Sequence, residues 1–370
     1  MPRTKKTTAR PNIRAVAQLA QLSPATVSLA LRNQDSIPPE TRERVLAAAA
    51  KLNYQYKPRA AKSAKEEEAE SIRNLLYVVN DYGDTPVLAN PFYGSILNGA
   101  VVASPSFNSY VHPVILQHDH PLDVPLPEPL CNTPDGILLA SPYPPTLVKR
   151  VASVINCPMV LIDNLIPGSP YDTVMNDDFG GAYQAIQHLL ELGHRYIHMI
   201  MGQLKKPGML PNTPPSVLDR YRGYSAAMLD GGYTPFPAIE IPLDYQQTVP
   251  GRKELPQWLG GVLARAPRMT ALFCNVDYYA VQIISALHTI GYRVPDDISV
   301  VGFDDLDIAR MIHPRLTTVQ INRSAMSQAA VERLVRRMEG DVSAPLSIHV
   351  GARLVVREST AAPGSGNISA

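Results

Sequence analysis

Beyond Ile72, short apolar runs alternate with stretches of helical periodicity, and this constrains the fold of the 370-residue chain more than any other feature. The runs are residues 75–79, 136–140, 159–163, 197–201, 271–274 and 298–303, with periodic segments such as 181–192 and 279–290 between them. Runs this short and uniformly apolar suit strands buried on both faces. Strands alternating with helices build βαβ units, and hence parallel sheets covered on both sides. About 300 residues of this pattern exceed one ordinary core, so two α/β lobes are expected. The proline-rich stretches 121–145 and 205–216 read as ordered loops without regular structure.

The N-terminal segment has a different texture. Residues 1–65 hold 13 Lys/Arg and 3 Asp/Glu, a net of +10; the rest of the chain holds 21 and 30, a net of −9. A basic head on an acidic body suits a polyanionic partner for the head alone. Asn12 is a good N-cap for a helix from Ile13, with Val16, Ala17 and Ala20 as its apolar stripe. Gln21-Leu22 reads as a turn, in which Gln21 takes a backbone angle that glycine adopts more easily. Ser23 caps a second helix with Pro24 at its first position, where a missing N–H costs nothing. Val27 and Leu31 face inward, and Ala25, Thr26, Ser28 and Leu29 face outward. A third helix runs from about Glu40 to Leu52, with Val45, Leu46 and Ala49 inward. Two short helices joined by a tight turn are a DNA-reading unit, whose second helix lies in the major groove.

The function classes the sequence argues against are also plain. No run of about 18 apolar residues exists, so no spanning helix is expected. The basic, polar start lacks the apolar stretch of a secretory signal, so the expected location is cytoplasmic. Cys131, Cys157 and Cys274 form no CxxC pair, and reduced thiols are expected rather than zinc. There is no GxxxxGK[ST] loop and no G-x-S-x-G elbow. His118-Asp119-His120 lies in a proline-rich loop without partners at metal-ligand spacing. No catalytic residue, metal or cofactor is expected.

Residues 12–56 resemble the DNA-binding head of the LacI family of bacterial repressors. Ile13, Val16, Ala17, Ala20, Ser23, Thr26, Val27, Ser28, Asn33, Glu40-Thr41-Arg42, Val45 and Tyr54 sit at that family's spacing. The resemblance continues through Asn90-Pro91-Phe92-Tyr93, Leu192-Gly193-His194-Arg195, Arg220-Tyr221-Arg222-Gly223 and Asp277-Tyr278-Tyr279-Ala280. It ends with the long stretch 294–305 and Leu316-Thr317-Thr318-Val319. It implies an all-α helix-turn-helix head plus an α/β core of two parallel-sheet lobes, similar to periplasmic sugar-binding proteins. The expected division is a head at 1–56, a hinge at 57–71, a core at 72–360 and a flexible tail at 361–370.

For function, the resemblance implies a homodimer that binds operator DNA, released or retained by a small effector such as a mono- or disaccharide. No membrane partner is implied. Gln21, Ser23, Pro24, Ala25, Thr26, Ser28, Leu29, Arg32, Asn33 and Tyr54 are the implied DNA contacts, with Lys62 and Ala64 in the hinge. Ala64 stands where the family's hinge carries a leucine that wedges into the minor groove, and alanine is too short for that. Phe92, Ser141, Arg220, Tyr245, Asp277 and Asp304 are the implied effector contacts. Carboxylates beside an arginine suit vicinal hydroxyls, and ligands of open parallel sheets sit beyond the carboxyl ends of the strands. Two competing readings are a sugar-binding protein without DNA function and a regulator worked by a partner protein. Residues 12–56 count against the first, and Arg220, Asp277 and Asp304 against the second.

Overall fold

The computed structural model describes residues 13–31, 37–52, 54, 72–80, 91–117, 120–121, 123–202, 214–241 and 254–364. Asn12, Arg32, Asn33, Lys62, Ala64, His118, Asp119 and Tyr245 lie outside the described residues, as do the segment 57–71 and the side chains of Pro24, Ala25 and Ser28.

Three helices build the head: α1 (Ile13–Ala20), α2 (Pro24–Leu31) and α3 (Pro39–Lys51). Val16, Ala17 and Ala20 meet Val27 and Ala30 of α2 and Val45, Ala48 and Ala49 of α3 in one core, with Leu31 and Tyr54 packed at its edge. The alanines keep the helices close where they meet. Leu46, expected inward, is 52% exposed. Positions three and four beyond Val45 share its face, which selects Ala48 and Ala49; the next residue along points about 100° away.

Ser23 caps α2 as expected, its Oγ accepting the Thr26 N–H at 3.1 Å. Gln21 holds φ +55°, the left-handed conformation. A side chain there costs roughly 1–2 kcal/mol, partly offset by the larger unfolded-state entropy of glycine. Gln21→Gly is therefore expected to stabilise the head by about 1 kcal/mol. Amide hydrogen exchange across α1–α3 of the full chain would slow; unchanged or faster exchange would contradict the strain.

The chain divides into two compact units, Met1–Ser71 and Ile72–Ala370. In the second, the strands are β1 (Arg73–Val79), β2 (Ser109–Ile115), β3 (Gly136–Ala140), β4 (Met159–Ile162), β5 (Asp172–Asn176), β6 (Ile197–Gly202), β7 (Ile239–Ile241), β8 (Ala271–Cys274), β9 (Ser299–Asp304), β10 (Thr317–Gln320), β11 (Ser347–Val350) and β12 (Arg353–Val355). They form two six-stranded sheets, ordered β2-β1-β3-β4-β5-β11 and β7-β6-β8-β9-β10-β12. All pairs are parallel except β10 with β12. Every residue of β3, β4, β5, β8 and β9 is buried, as covering on both faces requires. Within 121–145, read as a loop, Glu128–Cys131 forms a helical turn, while Gly136–Ala140 is β3, the strand expected from its apolar run.

Each sheet anchors one lobe, and neither lobe is continuous in sequence. After β5 the chain enters the second lobe through the helix Asp178–Glu191, which packs on β8, β10 and β12. After β10 it returns through the helix Arg323–Met338, which packs on β3, β4 and β5. It crosses a third time between β11 and β12. All three crossings leave the carboxyl ends of strands, where the buried polar groups gather.

Ala361, assigned to the tail, is held by the structure. Its N–H donates to Ser299 Oγ at 3.1 Å, and its carbonyl lies 2.8 Å from His194 Nε2.

Candidate functional site between the two lobes

Arg220 lies on the helix Pro215–Asp230, whose buried positions Ser216, Arg220, Gly223, Tyr224 and Ala227 follow helical spacing. That periodicity turns Arg220 inward, while Arg222 pairs with Asp219 in solvent at 2.8 Å. Gly223 is needed at the crossing with the helix Asp178–Glu191, because a Cβ there would stand 2.3 Å from the Phe179 carbonyl oxygen. The close approach brings Asp178 to Arg220. Nε of Arg220 donates to Asp178 Oδ1 at 2.7 Å, Nη2 to Asp304 Oδ1 at 3.2 Å, and Nη1 to the main-chain carbonyl of Asn275. The guanidinium carbon stands 3.8 Å over the Phe303 ring, a cation–π contact.

Strand ends supply the other groups. Asp304 ends β9, Asn275 follows β8, Asn176 ends β5, and Asp163 follows β4 in the first lobe. Ser141, Asp163 and Asp304 hold φ of +137°, +54° and +108°. Non-glycine residues persist in such conformations only where their surroundings enforce them, and such sites cluster around ligands. Tyr93 donates its hydroxyl to Asp163 Oδ2 at 2.7 Å. The Asp163 carboxyl also feels the charges of Asp178, Arg220 and Asp304.

Electrostatics follow from burial. Desolvation, reinforced by Asp178, pushes Asp163 up to about 7, against the pull of the Tyr93 hydroxyl and Arg220. Desolvation pushes Asp304 up to about 6, with Arg220 opposing. Burial also raises Asp178 against its Arg220 pair. Burial works against the Arg220 charge, but Asp178 and Asp304 outweigh it. Among the described residues, three buried side-chain atoms of this cluster lack a hydrogen-bond partner: Asn176 Oδ1, Asp178 Oδ2 and Asn275 Oδ1. Buried acceptors of this kind are costly unless something supplies a donor.

The raised carboxyls fix a sign. Folded Asp163 and Asp304 keep protons that the unfolded chain has lost above about pH 4. Stability from these groups is present at low pH and falls as pH rises through their folded values, about 7 and about 6. Asp163→Asn is expected to lose less stability than its parent between about pH 5 and about pH 8 in urea denaturation. An identical loss in both proteins would show that Asp163 holds no extra proton.

Not every expected site residue joins this cluster. Asp304 and Arg220 do. Asp277 is fully buried, and both its carboxylate oxygens are engaged: Oδ1 by the Thr318 hydroxyl at 2.6 Å, Oδ2 by the Leu306 N–H at 2.8 Å. Asp305 is held by Arg310, Arg357 and Gln320. Ser141 accepts the Asn80 N–H at 3.2 Å. Phe92 is half-buried, edge-on to Tyr93 with ring centroids 4.9 Å apart. Asp163, Asp178 and Asn275 went unnoticed in the sequence. For Asp163 and Asn275 the available signal was a polar residue at the end of an apolar run.

Two segments of the chain match family models. Residues 12–56 match bacterial regulatory proteins of the lacI family, and residues 186–360 match the periplasmic binding protein-like domain. The HTH-type transcriptional repressor PurR of Erwinia tasmaniensis is 31% identical over 356 residues, which is 94% of this chain and 96% of that protein. The ribose operon repressor of Haemophilus influenzae is 28% identical over 349 residues, 93% of this chain and 97% of that protein. The solved structure of a complex of the transcriptional regulator CelR with cellobiose is 26% identical, with a TM-score of 0.65 over 95% of this chain and all of that one. The lac repressor dimer bound to operator and the anti-inducer ONPF, 22% identical with a TM-score of 0.62 over 96% of this chain and all of that one, shares the fold.

A helix-turn-helix head joined to a two-lobed core of this type defines a DNA-binding transcription regulator, not an enzyme. The chain belongs to the LacI family of bacterial regulatory proteins. Among the described residues, no helix is long and apolar enough to cross a membrane, and no group of three His, Cys, Asp or Glu could hold a metal ion.

Proposed function

We propose that the chain works as a cytoplasmic homodimeric repressor whose operator affinity is set by a small sugar bound around Arg220. The observation that carries this reading is the buried cluster at the strand ends. A planar cation pinned by Asp178 and Asp304, with unpaired acceptors beside it, is suited to a molecule carrying several hydroxyls. The cellobiose bound by CelR is a sugar of the same kind.

In the head, α2 enters the major groove, and Gln21, Ser23, Pro24, Ala25, Thr26, Ser28 and Leu29 meet base edges and phosphates. Leu29 is 36% exposed and offers its methyls to thymine. The Ser23 and Thr26 hydroxyls lie 2.8 Å apart, which orients one of them outward as a donor or acceptor. Arg32, Asn33 and Tyr54 flank this surface, and Lys62 and Ala64 carry the hinge. Phe92, Ser141, Tyr245, Asp277 and Asp304 complete the effector assignment, with Asp277 acting through the loop it holds.

The test is a mobility shift of the full chain on its own promoter region, with and without a panel of mono- and disaccharides. A specific shift released by one sugar is expected. The coupling is reciprocal, so operator DNA weakens that sugar's binding by the same factor. A specific shift that no sugar alters would replace the sugar by another effector, and no specific shift would overturn the operator reading.

A further inference from the structure

The unpaired atoms around Arg220 have one property in common. Asn176 Oδ1, Asp178 Oδ2 and Asn275 Oδ1 are all acceptors. Three of the five Arg220 N–H donors are already committed, because Nε, Nη1 and Nη2 each donate to an oxygen of the protein. Charge leans the same way. Among the described residues, Asp163, Asp178 and Asp304 surround one guanidinium, and the next cation, Arg323, is spent on the main-chain carbonyls of Asp304 and Asp305. Asp305, another nearby carboxylate, is paired with Arg310 and Arg357 outside the cluster.

From this we infer that the site selects its sugar by charge: it takes a donor-rich saccharide that is neutral or carries an ammonium group, and it rejects sugars bearing a phosphate or carboxylate. The inference rests on the reading that a sugar binds here. A hydroxyl or ammonium group supplies what the three acceptors need, and an ammonium forms charge-assisted bonds with Asp178 and Asp163. A phosphate oxygen would set acceptor against acceptor, and its charge would add to a cluster of three acidic groups around one guanidinium in a buried, poorly screened place. The shared proton load supports this. Burial pushes Asp163 up to about 7, and the charges of Asp178 and Asp304 add to it. It follows that the regulator reads a sugar ahead of its phosphorylation, and that a phosphoryl transfer onto that sugar ends the signal.

The test is calorimetric titration of the full chain with matched sets on common skeletons. The probes are glucose, glucosamine, glucose 6-phosphate and glucuronate; galactose, galactosamine and galacturonate; ribose and ribose 5-phosphate; and cellobiose. In any skeleton that binds, the phosphorylated or acidic form is expected to be weaker than the neutral one by about tenfold or more. Asp178→Asn is expected to narrow that gap; should this variant fail to fold, the parent protein's panel still decides. An anionic member binding as tightly as its neutral parent overturns the charge selection and leaves the sugar reading standing. Silence from every probe overturns the sugar reading, and the inference with it.

Discussion

Arg220→Ala is expected to lower the stability of the core by about 3–5 kcal/mol, the usual cost of removing one partner from a buried ion pair. Asp178 and Asp304 are each almost wholly buried, and Arg220 is the cation that faces both. Without it, two carboxylates share a dry site, and they take up protons or drag water inward. The Asn275 carbonyl and the face of Phe303 lose their partner in the same change. Arg220→Lys keeps the charge but not the three-way fork of donors, so an intermediate loss is expected. Urea denaturation followed by the fluorescence of Trp258, the only tryptophan in the chain, reads both variants. A loss for alanine under about 1 kcal/mol, as for an exposed pair, would contradict the three contacts. The effector response is expected to vanish in the alanine variant as well, so stability must be measured alongside it.

Asp277→Ala is expected to cost about 2–6 kcal/mol, from two buried donors left unpaired at about 1–3 kcal/mol each. Its carboxyl joins three segments: the helix it opens, the Leu306 N–H after β9, and the Thr318 hydroxyl on β10. Gly302 lies directly beneath, and a Cβ there would stand 2.2 Å from Asp277 Oδ1. The glycine of the 294–305 motif is therefore explained by the aspartate of the 277–280 motif. Burial, with Asp304 adding to it, raises Asp277 well above the usual carboxylate range, so Asp277→Asn is expected to be much milder than alanine. Thermal denaturation separates the two. If instead the alanine variant keeps its stability and loses only sugar affinity, Asp277 contacts the effector directly.

These two residues show what the sequence displays and what it conceals. The apolar runs located β1, β3, β4, β6, β8 and β9 to within a residue or two, because strands buried on both faces are written as unbroken apolar stretches; β2 and β5 were not among them. The head was equally legible, since Ser23, Pro24 and the alanine spacing are local signals of caps and packing. Leu46 was misplaced where one step along the helix decides between core and solvent. The short edge strands β7, β11 and β12 carry little apolar signal. The site was half legible. Arg220 and Asp304 stand in motifs, but whether an aspartate faces Arg220 or a neighbouring loop depends on contacts between distant segments. Asp277 meets Leu306 and Thr318, and Asp178 meets Arg220 across 42 positions of sequence. No local pattern encodes such a pairing.

The three crossings between lobes also govern how the chain can be made. The first sheet lacks the helix Arg323–Met338 and β11 until residue 350 exists, and the second lacks β12 until residue 355. A ribosome therefore releases the head's three helices early, but holds both lobes unfinished until nearly the whole chain has emerged. Apolar strands such as β3 and β4 wait through that interval without their final cover, which favours slow folding and exposure to aggregation. Neither lobe can be excised as a contiguous module, and a chain cut before residue 320 would forfeit both.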